Sequence, residues 1–147
     1  MAAATGHHFV GPTNRFWRVI QLSGFTPDQI RPEDDQRILH YHCGLTTVVS
    51  RPTASAGQLA PGEFASAAAE FRRKIEHYAP RFVAFLGKAA YAALSGHREV
   101  SWGRQADLMG GAIVWVLPNP SGRNRSFRLD RLVAAYQQLQ RAVSAAP

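Results

Sequence analysis

Cysteine is almost absent from this chain. Cys43 stands alone among 147 residues, which excludes an internal disulfide and any cysteine-based metal cluster. No apolar run reaches the roughly 18 to 20 residues needed to cross a membrane as a helix. The opening MAAATGHHF has neither the basic region nor the apolar stretch of a secretory signal. There are no internal repeats and no low-complexity tract. These absences lead to the expectation of a cytoplasmic, single-domain chain over 1–147. At this length about 70% of the unfolded surface can be buried, enough for an ordinary core.

Lysine is nearly missing as well. Of seventeen basic residues only Lys74 and Lys88 are not arginine, and ten acidic residues leave a net charge of +7. A positive field attracts anionic partners, and guanidinium suits two-pronged phosphate contacts better than ammonium does. An arginine-rich composition can equally reflect codon usage on a merely soluble surface. Position separates the two explanations: four arginines lie within residues 123 to 131, beside the sequence NPSG. Such clustering at a loop and helix start points towards nucleic acid.

Three short runs read as strands: GLTTVVS (44–50), RFVAFLG (81–87) and AIVWVLP (112–118). They are nearly continuous in apolar residues, as strands covered on both faces should be. Helical patterns lie around them. NRFWRVIQLSG carries Phe16, Val19 and Ile20 on one face and stops at Gly24. TPDQ (26–29) fits a capping box that opens a helix, which Pro32 then breaks or restarts. GEFASAAAEFRRKIEHYA (62–79) places Phe64, Ala68, Phe71, Ile75 and Tyr78 on one stripe. KAAYAALSG ends at Gly96, and a last helix from about Ser126 places Leu129, Leu132, Val133, Tyr136, Leu139 and Val143 inward. Strands alternating with helices predict an α/β fold, a three-layer α/β/α arrangement around a short central parallel sheet.

In open α/β sheets ligands bind beyond the C-terminal ends of the strands. NPSGRNR (119–125) follows the third run and precedes the last helix, so it belongs on that edge. Gly122 permits close backbone approach, and the helix start favours an anion. An ordinary strand-to-helix connection punctuated by Pro and Gly fits the same residues equally well. At the other end, GHHFVGPTNRFW (6–17) opens without periodicity but carries two histidines, an aromatic, two glycines and a proline, consistent with a pocket-lining loop. HYHC (40–43) invites a zinc site but lacks a second spaced ligand cluster. GKAAY is not a phosphate-binding P-loop, because the earlier glycine and the Ser/Thr after Lys88 are missing. Glu99 and Asp107 read as solvated carboxylates.

Together GHHF-V-GP-T-NRFW, YHCGLTTVVSRPT (41–53), FLGKAAY (85–91) and WVLPNPSGRNR (115–125) resemble the mismatch-specific uracil/thymine-DNA glycosylases, part of the uracil-DNA glycosylase superfamily. The resemblance runs from about Ala3 to Val143. It implies a monofunctional DNA N-glycosylase of base-excision repair that turns uracil, or thymine or a modified pyrimidine, out of a G mismatch. It further implies hydrolysis of the N-glycosidic bond. The implied partner is double-stranded DNA with a G·U or G·T mismatch, bound by a monomer in the bacterial cytoplasm at the nucleoid. Neither a metal nor an organic cofactor is implied, since water is the only second substrate.

By motif position the resemblance makes Phe9 the aromatic stacked on the flipped base and puts His8 beside the sugar or the water. Thr47 stands near the base, where relatives often carry Asn or Lys. Asn119, Pro120, Ser121, Gly122, Arg123, Asn124 and Arg125 would contact the flanking backbone and fill the vacated stack, with either Arg123 or Arg125 as the wedge.

The sequence departs from the family at one point. The family begins with a strand ending in a motif like GINPG, whose Asn positions the attacking water, and neither has a counterpart in residues 1–147. The expectation is a true start upstream of Met1, with two sheet ladders unpaired in the short form. A catalytically inactive DNA-binding relative is the first alternative. A small α/β nucleotide- or phosphate-binding protein using the loop at Asn119 to Arg125 is the second.

Overall fold

NRFWRVIQLSG folds as its spacing predicts. Helix α1 covers Phe16–Leu22 and buries Phe16, Trp17, Val19 and Ile20. The side-chain oxygen of Asn14 accepts the Phe16 amide at 2.9 Å and satisfies one donor of the first turn. At the other end the Phe25 amide donates to the Ile20 carbonyl and the Gly24 amide to that of Gln21. Gly24 sits at φ 97°, so the two bonds form a Schellman stop that a side chain would strain.

The computed structural model describes residues 13–46 and 61–146, with side chains from residue 66 onward in the second segment. The fold is α/β, with a short central sheet. The chain divides into two compact units, residues 1–46 with 119–147 and residues 47–118. In the first unit α1 is followed by a 3-10 helix over Pro32–Tyr41, kinked at Asp34. The helix expected from TPDQ does not form. The Thr26 hydroxyl donates to the Asp28 carbonyl at 2.8 Å and closes a local turn instead. Arg31 is held extended before Pro32, and the proline's fixed φ opens the 3-10 helix.

The unit's other long element lies in the chain's C-terminal part, a helix over Leu129–Ala145 that packs against α1. It buries Leu132, Tyr136 and Leu139. Leu129 and Val133 are half-buried, while Val143, expected inside, is 41% exposed, being two residues from the helix end.

The second unit holds α2 (Pro61–Tyr78), β1 (Phe82–Leu86), α3 (Lys88–Ser95), β2 (Gly103–Arg104) and β3 (Ile113–Leu117); the helix over Leu129–Ala145 is accordingly α4. The sheet order is β1-β3-β2. β1 and β3 run parallel with Phe82 opposite Ile113 and Leu86 opposite Leu117. The two-residue β2 adds an antiparallel edge, so the sheet is mixed. Val83, Phe85, Val114 and Val116 point to one face and form a core with Phe71 and Ile75 of α2 and Tyr91 and Leu94 of α3.

Three further details depart from the expected pattern. β1 buries only Val83 and Phe85, leaving Ala84 exposed, because it ends the sheet order among the described residues. Tyr78, placed on the α2 stripe, is 74% exposed. The helix stops there, as Ala79 turns left-handed at φ 49°. The strand expected over 44–50 is not formed at 44–46, and 47–50 lie outside the described residues.

Candidate nucleic-acid interface

The chain leaves β3 at Leu117 through Pro118 and Pro120, both fully buried. Neither proline carries an amide donor, so the segment cannot build a backbone ladder. Its side chains make turns instead. The Asn119 side-chain oxygen accepts the Ser121 amide at 2.9 Å, and the Ser121 hydroxyl accepts the Arg123 amide at 3.2 Å. The Asn124 amide donates to the Ser121 carbonyl, while the Asn124 side chain donates to the Asn119 carbonyl at 2.9 Å. Asn124 also accepts the Ser126 amide at 3.2 Å through its side-chain oxygen.

One residue outside the loop closes it. The Arg15 guanidinium donates to the carbonyls of Phe127 and Ser121, each at 2.8 Å, of Asn124 at 3.1 Å and of Pro120 at 3.3 Å. The Arg15 backbone amide also reaches the Pro120 carbonyl, at 3.0 Å. A planar fork with five donors is suited to gathering several carbonyls at once. These bonds also explain why α4 starts at Leu129 and not at Ser126: Phe127 and Asn124 are committed to the loop. Residue 122 lies against the segment before Arg15. A Cβ placed there would meet the Thr13 Cβ at 2.5 Å and the Thr13 carbonyl at 2.9 Å. The close approach that Gly122 permits is thus to the protein's own backbone.

Arg123, Arg125, Arg128 and Arg131 are all exposed. Asp130 is the one acid in the first turn of α4. Among the described residues none of the four arginines is held in an ion pair. Within residues 119–131 the charge therefore sums to +3, four arginines against Asp130. Tyr136 of α4 is wholly buried, and burial pushes its phenol well above its ordinary range, opposed by the charge of Arg15.

Asn119, Ser121, Gly122, Arg123, Asn124 and Arg125 thus stand on one ordered loop, with Pro120 buried as its anchor. Asn119 and Asn124 serve as turn formers, whereas Arg123 and Arg125 present free charge. His8, Phe9 and Thr47 lie outside the described residues. Arg15, which closes the loop, carries no sequence signal of that role, because its partners lie more than a hundred residues away.

Other chemistry-bearing side chains lie elsewhere. Asp107 is exposed and pairs with His97 at 2.9 Å, and Glu99 is exposed. The Lys88 amine lies 4.6 Å from the centre of the Trp102 ring. Burial pushes the Cys43 thiol up, away from the reactive thiolate. Among the described residues no three His, Cys, Asp or Glu side chains converge to hold a metal.

The family model of the uracil DNA glycosylase superfamily matches residues 1–140. The chain belongs to that superfamily, whose activity is that of DNA glycosylases and whose ligand is DNA.

Proposed function

We propose that this member of the uracil DNA glycosylase superfamily excises uracil, and secondarily thymine or a modified pyrimidine, from mismatches with guanine. The observation that carries the proposal is the loop at 119–125, ordered by side-chain turns and by Arg15, with two exposed arginines at its tip. A base rotates out of the duplex at a cost of a few kcal/mol, least when it is mispaired. Arg123 or Arg125 enters the vacated stack, since guanidinium both stacks and pairs. The other arginine takes the flanking phosphate, and the exposed Arg128 and Arg131 extend the positive edge.

Phe9 stacks on the extruded base and Thr47 lies at its edge. The bond between the sugar C1′ and the base nitrogen breaks, and the oxygen of a water joins C1′. The base leaves as an anion and is protonated, leaving an abasic site. His8 is assigned to the sugar or the water. The chain acts as a monofunctional enzyme and as a monomer, with no cofactor in the chemistry.

The experiment is base release from duplexes carrying one G·U, G·T or A·U pair, read as alkali-labile strand cleavage. Release from G·U well ahead of A·U supports the proposal, and equal rates at all three would remove the mismatch preference. A second reading is favoured by one sequence observation. The only Asn-Pro within residues 1–147 is Asn119-Pro120, and its Asn is committed to a turn. A folded chain that binds the G·U duplex but releases no base would establish that second reading, a DNA-binding protein without hydrolysis.

A further inference from the structure

We propose that Arg15 is a positioning residue that casts the 119–127 loop in its duplex-gripping form, and so makes the protein prefer duplex to single-stranded DNA. The duplex part rests on the DNA-binding proposal above. The hold of Arg15 on the loop does not.

Arg15 is more than a hundred residues from the loop in sequence, yet its side chain reaches four loop carbonyls. Those carbonyls belong to residues on both sides of Arg123 and Arg125, so the fork fixes the base of the turn from which both arginines project. The loop's own turns, at Asn119, Ser121 and Asn124, are short-range and exposed, so they do not tie it to the rest of the unit. Pro118 and Pro120 supply no amide donors. The exposed positive charges of Arg123, Arg125, Arg128 and Arg131 repel one another. Gly122 seated against Thr13 gives the second point of fixation, from the same N-terminal segment. Thr13 to Arg15 therefore acts as the mould of the loop.

Four of the five Arg15 donors are spent on carbonyls, so the guanidinium has no free fork with which to grip a phosphate. It acts through Arg123 and Arg125. A loop that fills a gap matters most where there is a gap, and single-stranded DNA has neither a vacated stack nor a widowed base. Loosening the loop must therefore weaken duplex binding more than single-strand binding, which keeps only the phosphate contact of one exposed arginine. Lysine cannot substitute, since its three donors radiate from one atom and cannot span four carbonyls.

Arg15→Lys and Arg15→Gln test the proposal, with circular dichroism to confirm folding. Trypsin cuts after Arg123 and Arg125, and both variants should be nicked there roughly tenfold faster than wild type, the scale of one lost charged hydrogen bond. Their preference for a G·U duplex over the same uracil strand alone should fall by about tenfold on the same scale. The salt slope of single-strand binding should stay unchanged even in Arg15→Gln.

Unchanged nicking and unchanged duplex preference in folded variants would overturn the proposal. So would a salt slope lower by about one in Arg15→Gln, with both affinities falling together, the mark of a phosphate contact. Side-chain NMR of wild type covers the case in which a variant does not fold. The Arg15 guanidinium protons should exchange slowly and keep their shifts when duplex is added, while those of Arg123 and Arg125 move. Fast exchange at Arg15 would contradict its hold on the loop. A wild-type protein with no affinity for DNA would sink the proposed function and the duplex preference, while nicking and proton exchange would still decide whether Arg15 holds the loop.

Discussion

Gly122 lies so close to Thr13 that the position a Cβ would occupy is 2.5 Å from the Thr13 Cβ and 2.7 Å from its hydroxyl. Part of the obstruction is backbone, the Thr13 carbonyl at 2.9 Å, so no rotamer change relieves it. Gly122→Ala should cost about 1–3 kcal/mol of stability, as overpacked sites do. It should also weaken duplex binding by displacing Arg123. Gly44 has nothing within 4 Å of its Cβ position, and Gly44→Ala should be neutral to within about 0.5 kcal/mol. Urea denaturation of the two variants checks the contrast; equal losses would mean that Gly122 is not wedged.

The α4 stripe makes a second contrast. Leu132 is wholly buried and Val143 is 41% exposed, although helical spacing places both on the inner face. Leu132→Ala should lose about 2–5 kcal/mol, the range for buried leucines. Val143→Ala should lose no more than about 0.5 kcal/mol. Thermal or urea unfolding measures both, and a large loss at Val143 would contradict the helix end described above.

Alkaline pH should unfold the protein through Tyr136. Burial raises its phenol well above the ordinary value, so the folded state holds its proton longer than the unfolded state does. The stabilisation is fully present below the ordinary tyrosine pKa of about 10 and is lost progressively above it. Tyr136→Phe should remove part of the decline seen above pH 10. Tyr91, raised by burial and then by the charge of Asp107, should retain some of it. Stability measured from pH 8 to 11 shows the difference, and identical slopes for wild type and Tyr136→Phe would count against a buried phenol.

Periodicity located the long elements well, because burial acts on one face at a time. Phe71 and Ile75 in α2, the parallel pair of β1 with β3, and the Gly24 and Gly96 helix stops were all legible in the chain. It failed where a local side chain outbid the repeat. Thr26 turned TPDQ into a bend, and Asn124 with Arg15 delayed the start of α4 to Leu129. β2 is too short to leave a pattern.

In the candidate site, NPSGRNR was legible as a loop because Pro, Gly, Ser and Asn each have a turn role. Its partner Arg15 was not. The pairing joins residues more than a hundred positions apart, and an arginine in a helix-opening motif carries no mark of where its guanidinium will go.

Affinity for a G·U duplex against salt, for wild type and Arg123→Ala/Arg125→Ala, tests the central claim that this loop grips DNA. Each phosphate contact contributes about one to the slope of log affinity against log salt. The loop predicts weaker binding by the double variant and a slope shallower by about one, with one arginine on a phosphate and the other in the stack. Equal affinity and equal slope in a folded double variant would contradict the claim and return the loop to an ordinary connection between β3 and α4.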